Sequence, residues 1–187
     1  MSTVAIDFDH ELVARVEQFY YREARLLDER CLQQWIALAD ESLEYSMPTR
    51  FVPHPDPKLQ DTEAFLSVDR ELDRADGPNG SPIRHDNFIG AFARTFRAYK
   101  TNAWSESPAP RTRRMISNVE VTPLENDQYQ TYSNFLMFYS HLGKDNHTIT
   151  GGRRDILKEV DGGFNLLKRE VIIDMDIITV PTLALIF

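Results

Sequence analysis

Between positions 10 and 28, apolar side chains return every three or four residues: Leu12, Val16, Phe19, Tyr20, Ala24, Leu26 and Leu27. That spacing places them on one stripe and predicts an amphipathic helix over 10–28, with Asp9 as its N-cap. A second, shorter helix is expected over 32–38, around Trp35 and Ile36. Leu43, Tyr45 and Met47 then alternate before Pro48, the pattern of a strand that a proline stops. The stretches FVPHPDPK and ADGPNGSP are irregular by composition and delimit a loop insertion over 51–82, within which the charge-rich 62–74 has helical spacing. Phe88, Ile89, Phe92, Phe96 and Tyr99 rebuild a helical stripe over 86–99. Being aromatic, that stripe is expected in the core.

Beyond the proline-rich turn at 107–110 the period changes from helical steps to alternation. Strands are predicted over 113–121, 129–141, 148–160 and 164–174, with a bulge at Gly151-Gly152 and a tight turn at Asp161-Gly162-Gly163. A last apolar run covers 182–187. Helices first and a meander of long strands afterwards imply an α+β chain, its helices packed on one face of a mostly antiparallel sheet. The 129–141 strand is semi-apolar on both faces, with Phe135, Met137 and Tyr139 on one and Tyr132, Leu136 and Phe138 on the other. It calls for cover on both sides, from the chain's own helices and from a partner.

Composition narrows the function. At 187 residues, 42% of them apolar, the chain reads as one globular domain over 1–187. Its 21 Lys+Arg against 29 Asp+Glu leave a net charge of −8, which argues against a general nucleic-acid binder. No apolar run reaches the ~20 residues of a membrane span, and a cytosolic protein is expected. Cys31 is the only cysteine, so no intrachain disulfide and no all-cysteine metal or cluster site can form.

Candidate chemistry is sparse. His141, Asp145 and His147 surround one predicted strand turn, but their spacing fits no metal motif and such turn-tip groups are ordinarily solvated. Asp28, Tyr20, Tyr45, His85 and Asp174 are the residues from which an acid/base pocket could be built; a helix cap and core aromatics are the plainer roles for the first three. There is no glycine-rich phosphate loop and no Gly-x-Ser-x-Gly elbow. Arg111, Arg113, Arg114, Arg153 and Arg154 stand out in an acidic chain. They either pair internally, with Asp155 and Glu120 as partners, or meet acidic groups on another subunit.

Several ordered motifs then point one way. VEQFYYREARLLDERCLQQWIALADESLEYSMPTR, AWSESPAPRTRRMISNVEV, SNFLMFYS and GGRRDILKEVDGGFNLLKREVIIDMD together resemble the small (β) subunits of aromatic-ring-hydroxylating, Rieske non-haem iron dioxygenases. The resemblance spans nearly the whole chain outside the first ten residues and 51–80; the TLALIF ending departs from the family's usual Asn-Leu-Ser. It implies a cone-shaped fold like that of nuclear transport factor 2 and a subunit without catalytic residues, metal or cofactor of its own. The Rieske [2Fe-2S] cluster and the mononuclear iron are then expected in a catalytic α subunit, commonly three of each subunit together, with electrons arriving from NAD(P)H through a ferredoxin or reductase. On this reading Trp104, Arg111, Arg113, Arg114, Arg153 and Arg154 are the expected interface residues. The competing readings are a stand-alone cone-fold dehydratase or isomerase, which needs a deep pocket with converging His, Asp and Tyr groups, and a ligand-binding module with a roomy apolar cavity. A structural subunit should instead have its interior plugged by core side chains.

Overall fold

The computed structural model describes residues 9–100, 102, 107–143, 146–175 and 177–187. Trp104 and Asp145, both singled out above, lie outside the described residues.

The chain opens with α1 (His10–Asp28), as its periodicity predicts. The Asp9 carboxylate accepts the Leu12 N–H at 3.0 Å, satisfying one of the donors a helix start leaves free. At the other end Arg30 takes the left-handed region, with φ of 62°, and the Cys31 N–H returns to the Leu26 carbonyl at 2.8 Å. The turn aims α2 (Leu32–Ile36) so that Trp35 and Ile36 are buried, and β1 (Ala39–Met47) follows directly.

Two short strands, β2 (Thr49–Arg50) and β3 (Leu72–Asp73), pair across the base of the 51–82 segment. Between them the expected helix is reduced to two 3-10 turns, Glu63–Leu66 and Val68–Glu71, with no buried residue in either. Their apolar side chains Leu66 and Val68 stay exposed, so no buried face supports a longer helix. A strand absent from the sequence reading, β4 (Arg84–Asn87), takes the first residues of the expected 86–99 helix. Asn87 then caps α3 (Phe88–Arg97) by accepting the Gly90 N–H at 3.0 Å.

β5 (Arg111–Pro123), β6 (Gln128–Ser140), β7 (His147–Val160) and β8 (Gly163–Ile173) form an antiparallel meander. The six-stranded sheet runs β4-β1-β8-β7-β6-β5, and its only parallel pair is β1 with β8. The β7–β8 hairpin closes through Asp161 and Gly162, both at positive φ, the geometry that matches strand twist. Helix α1 lies on the concave side against β5 and β8, and the tail up to Phe187 adds Val180, Ile186 and Phe187 to the same core.

Two expectations fail for physical reasons. The α3 stripe is not core: Ile89 is 73% exposed and Phe92 and Phe96 are each 41% exposed, while Ala91 and Thr95 face inward. The helix sits close to the sheet through its small residues; Phe88 packs against the core edge, while Phe92, Phe96 and Tyr99 stay outside in a chain of ring contacts along the helix. Nor is there a bulge at Gly151-Gly152, where pairing with both neighbours is continuous; the register slips instead between Ile156 and Leu157. Gly151 is needed for room, because a Cβ there would collide with the Ile172 carbonyl oxygen and approach the Phe135 ring to 2.8 Å.

That difference between adjacent glycines is testable. Gly151→Ala should lower stability by about 1–3 kcal/mol through overpacking. Gly152→Ala, whose nearest neighbour would be 3.8 Å away, should stay within about 0.5 kcal/mol of the parent. Urea unfolding of the two variants is the measurement.

Candidate functional site

The place to look for chemistry in this architecture is the space between α1 and the sheet, and here it is full. Arg169 of β8, fully buried, lies at its centre. Its Nη1 and Nη2 donate to the two oxygens of Glu23 at 2.6 and 2.9 Å, and its Nε and Nη2 donate to Asp155 at 3.0 and 2.7 Å. Nη1 also reaches a Phe187 carbonyl oxygen at 3.0 Å. Glu23 further accepts from Arg153 Nη1 at 3.1 Å and Trp35 Nε1 at 3.0 Å. Tyr20 donates to Asp155 at 2.9 Å and lies beneath the Arg153 guanidinium, 4.6 Å from ring to cation. Two carboxylates and two guanidiniums thus neutralise one another in an interior closed by Tyr20, Trp35, Met137 and Phe187.

Burial opposes the charged form of Glu23, but Arg169 and Arg153 beside it, with hydrogen bonds from Arg169 and Trp35, hold its carboxyl down at about 2. Burial likewise opposes the Arg169 charge and is outweighed by Asp155 and Glu23, so its pKa rises. Burial and the Asp155 charge push the Tyr20 hydroxyl well above its usual range. All three groups are held in their resting protonation states, unlike an acid or base poised to exchange a proton near neutrality.

The candidate acid/base residues do not converge. Tyr20 is in the network; Tyr45 is tied to the Phe187 backbone, whose N–H it accepts at 3.0 Å. Asp28 binds Arg114 Nη1 at 2.5 Å and Thr112 Oγ1 at 2.9 Å. His85 is exposed on β4, and the Asp174 carboxylate is exposed just past the end of β8, 3.9 Å from Arg50 Nη1. His141 and His147 flank the Tyr139 ring, and His141 Nε2 contacts the Pro108 carbonyl at 2.7 Å. Among the described residues no three His, Cys, Asp or Glu side chains are grouped to hold a metal ion.

The arginines divide by strand parity. Neighbours on a strand point to opposite faces, so each pair sends one side chain in and one out. Arg153 is 2% exposed and Arg114 is 9% exposed. Both pair within the chain, with Glu23 and Asp28 respectively, rather than with the Asp155 and Glu120 expected from sequence. Arg154 faces out but is engaged by the 51–82 segment, binding Asp69 at 2.6 Å, while Arg74 binds Glu170 on the adjacent strand at 2.5 Å. Arg111 and Arg113 are exposed.

They border a surface the sequence reading had placed only in part. Arg113 is opposite Phe138 and Met115 opposite Leu136, so all four lie on the outer face. Met115, Tyr132, Leu136 and Phe138 are exposed there. The 51–82 segment is tied to this face over β7 and β8 by its Asp69 and Arg74 contacts, and Val68 reaches the margin of a groove shared with Tyr132 and Leu136 of β6. Met115 had no part in the sequence expectation; its alternation with Arg113 was the available signal.

The interior network sets an acid limit. Because the folded pKa of Glu23 lies below the ordinary value of 4.5, its contribution is complete above about 4.5 and is lost as pH falls towards about 2. By proton linkage that loss is about 3 kcal/mol. Glu23→Gln should remove this part of the pH dependence and, by leaving Arg153 and Arg169 undercompensated, cost about 3–5 kcal/mol at neutral pH. Urea midpoints from pH 2 to 7 for both proteins measure it; equal slopes would exclude Glu23 as the source.

Comparison with known proteins agrees with this arrangement. The family model described as "Ring hydroxylating beta subunit" matches residues 22–180. Benzene 1,2-dioxygenase subunit beta of Pseudomonas putida is 32% identical over 187 residues, covering 98% of this chain and 91% of its own length. Biphenyl 2,3-dioxygenase subunit beta of Rhodococcus jostii is 33% identical over 182 residues, covering 96% of this chain and 90% of its own. Among solved structures, a chain of naphthalene 1,2-dioxygenase superposes with a TM-score of 0.79 at 19% identity, covering 97% of this chain and 88% of that one. The fold is thus the cone-shaped, nuclear-transport-factor-2-like one, and the chain belongs to the β-subunit family of aromatic-ring-hydroxylating dioxygenases.

Proposed function

We propose that this chain is a single-domain structural subunit that assembles with a catalytic α subunit, three of each, in the cytoplasm. The complex would convert aromatic compounds to cis-dihydrodiols with O2 and electrons from NAD(P)H passed on by a ferredoxin or reductase. The Rieske [2Fe-2S] cluster and the mononuclear iron belong to the α subunit in this reading. One observation carries it: the interior is closed by a neutralised ion network, while Met115, Leu136 and Phe138 stay exposed on the outer sheet face beside Arg111 and Arg113. An obligate interface buries upwards of ~2,000 Å2 with a largely apolar centre, and this face supplies the apolar part with cations at its margin. Trp104, next to β5 in sequence, is a further interface candidate. The dehydratase or isomerase reading has no such support, since His85 and Asp174 lie apart from Tyr20 and Asp28.

The test is co-expression with the neighbouring α-like gene, followed by mass determination and iron analysis of the chain alone and of the complex. An iron-free chain that joins an iron-containing assembly of about three plus three is expected; a stable chain that ignores that partner overturns the proposal. Phe138→Asp combined with Arg113→Glu should weaken the assembly at least ~10-fold, the scale of losing one anchor contact. The folded monomer should be unaffected, which its thermal unfolding would record.

A further inference from the structure

Outside the filled interior, a half-enclosed cavity of about 210 Å3 remains at the junction of α1, α3, the start of β5 and the C-terminal tail. Leu27, Leu32 and Ile186 are among its apolar walls. Engineered apolar cavities of roughly 150 Å3 admit benzene, so this one has space for a ring and two or three further heavy atoms.

Its charges are one-sided. Arg30, Arg94 and Arg114 line it and, among the described residues, no Asp or Glu does, in a chain whose net charge is −8. Two of the three cations are already matched from behind, Arg94 by Asp86 and Arg114 by Asp28. Arg30 donates one N–H to the Pro110 carbonyl at 3.0 Å and has no carboxylate partner among the described residues. Arg114 uses Nη1 on Asp28 and Nη2 on the Ile186 carbonyl, but its Nε is buried without a hydrogen-bond partner. With Arg94 and Arg114 matched, Arg30 is the lining cation left for a ligand, and a carboxylate oxygen is its strongest complement.

From this combination we infer that the cavity is a binding site for a compact organic monocarboxylate, its apolar body of about six to eight carbons against Leu27, Leu32 and Ile186 and its carboxylate received by Arg30. The site lies apart from the exposed Met115, Leu136 and Phe138 of the outer sheet face. Aromatic and aliphatic acids share the required chemistry, and the two are separated by the probes.

Isothermal titration calorimetry of the full purified chain with benzoate, with octanoate, and with uncharged benzyl alcohol provides the test. Saturable one-to-one binding of at least one of the two acids is expected, at least about tenfold tighter than benzyl alcohol, the difference one charge-assisted hydrogen bond makes. Arg30→Gln should weaken acid binding about tenfold and leave benzyl alcohol unchanged, while Arg30→Lys restores most of the loss. Ala98→Phe, which fills the cavity from α3, should abolish binding of all three probes. Arg30 lies at the exposed end of α1, so its variants fold even if the cavity-filling one does not. The proposal is overturned if neither acid saturates the parent protein, or if benzyl alcohol binds as tightly as both acids and Arg30→Gln changes nothing.

Discussion

A single guanidinium organises this protein. Arg169 reaches from β8 to Glu23 on α1, to Asp155 on β7 and to the Phe187 backbone, tying helix, sheet and tail to one point without access to water. Buried ion pairs seldom stabilise more than well-packed apolar groups would, because two charges must first be desolvated. Their stronger effect here is on uniqueness, since any displacement of α1 along the sheet strands a charge in a low-dielectric interior. The tail follows from the same constraint: Phe187 packs against Phe135 while its backbone meets Arg169 and Tyr45.

A fold that spends its interior in this way has its outer surface left for function. The sheet is dressed unevenly: the 51–82 segment anchors Asp69 and Arg74 over β7 and β8, while Met115, Leu136 and Phe138 of β5 and β6 stay exposed. Across the same face the arginines change from paired, Arg154 on β7, to exposed, Arg111 and Arg113 on β5. Strand alternation produces both surfaces from one segment, because the residues that fill the core and those that face outward are sequence neighbours.

How far the sequence discloses this depends on whether the signal is local. The α1 stripe was readable because a helix with one apolar face has one way to bury it, and all seven of its apolar positions are buried. The Asp161-Gly162 turn was readable because its backbone angles suit few other residues. The arginine pairs were open to a parity argument, yet parity says only that one of each pair points inward, not which. Glu23 was visible as a carboxylate within the apolar stripe of α1, but its partners come from residues 130 and 146 positions away.

The order of the longer elements, the α+β class and membership of the β-subunit family were determined by the sequence alone, because periodicity, turn chemistry and ordered motifs are written along the chain. Only the tertiary structure decided the rest. It turned the α3 aromatics outward, since close approach to the sheet selects Ala91 and Thr95 as the buried face. It separated Tyr20 and Asp28 from His85 and Asp174, and matched Arg153 to Glu23 and Arg114 to Asp28. Each of these outcomes depends on which surfaces meet across the fold, and a pairing between distant residues has no expression in the local pattern of either.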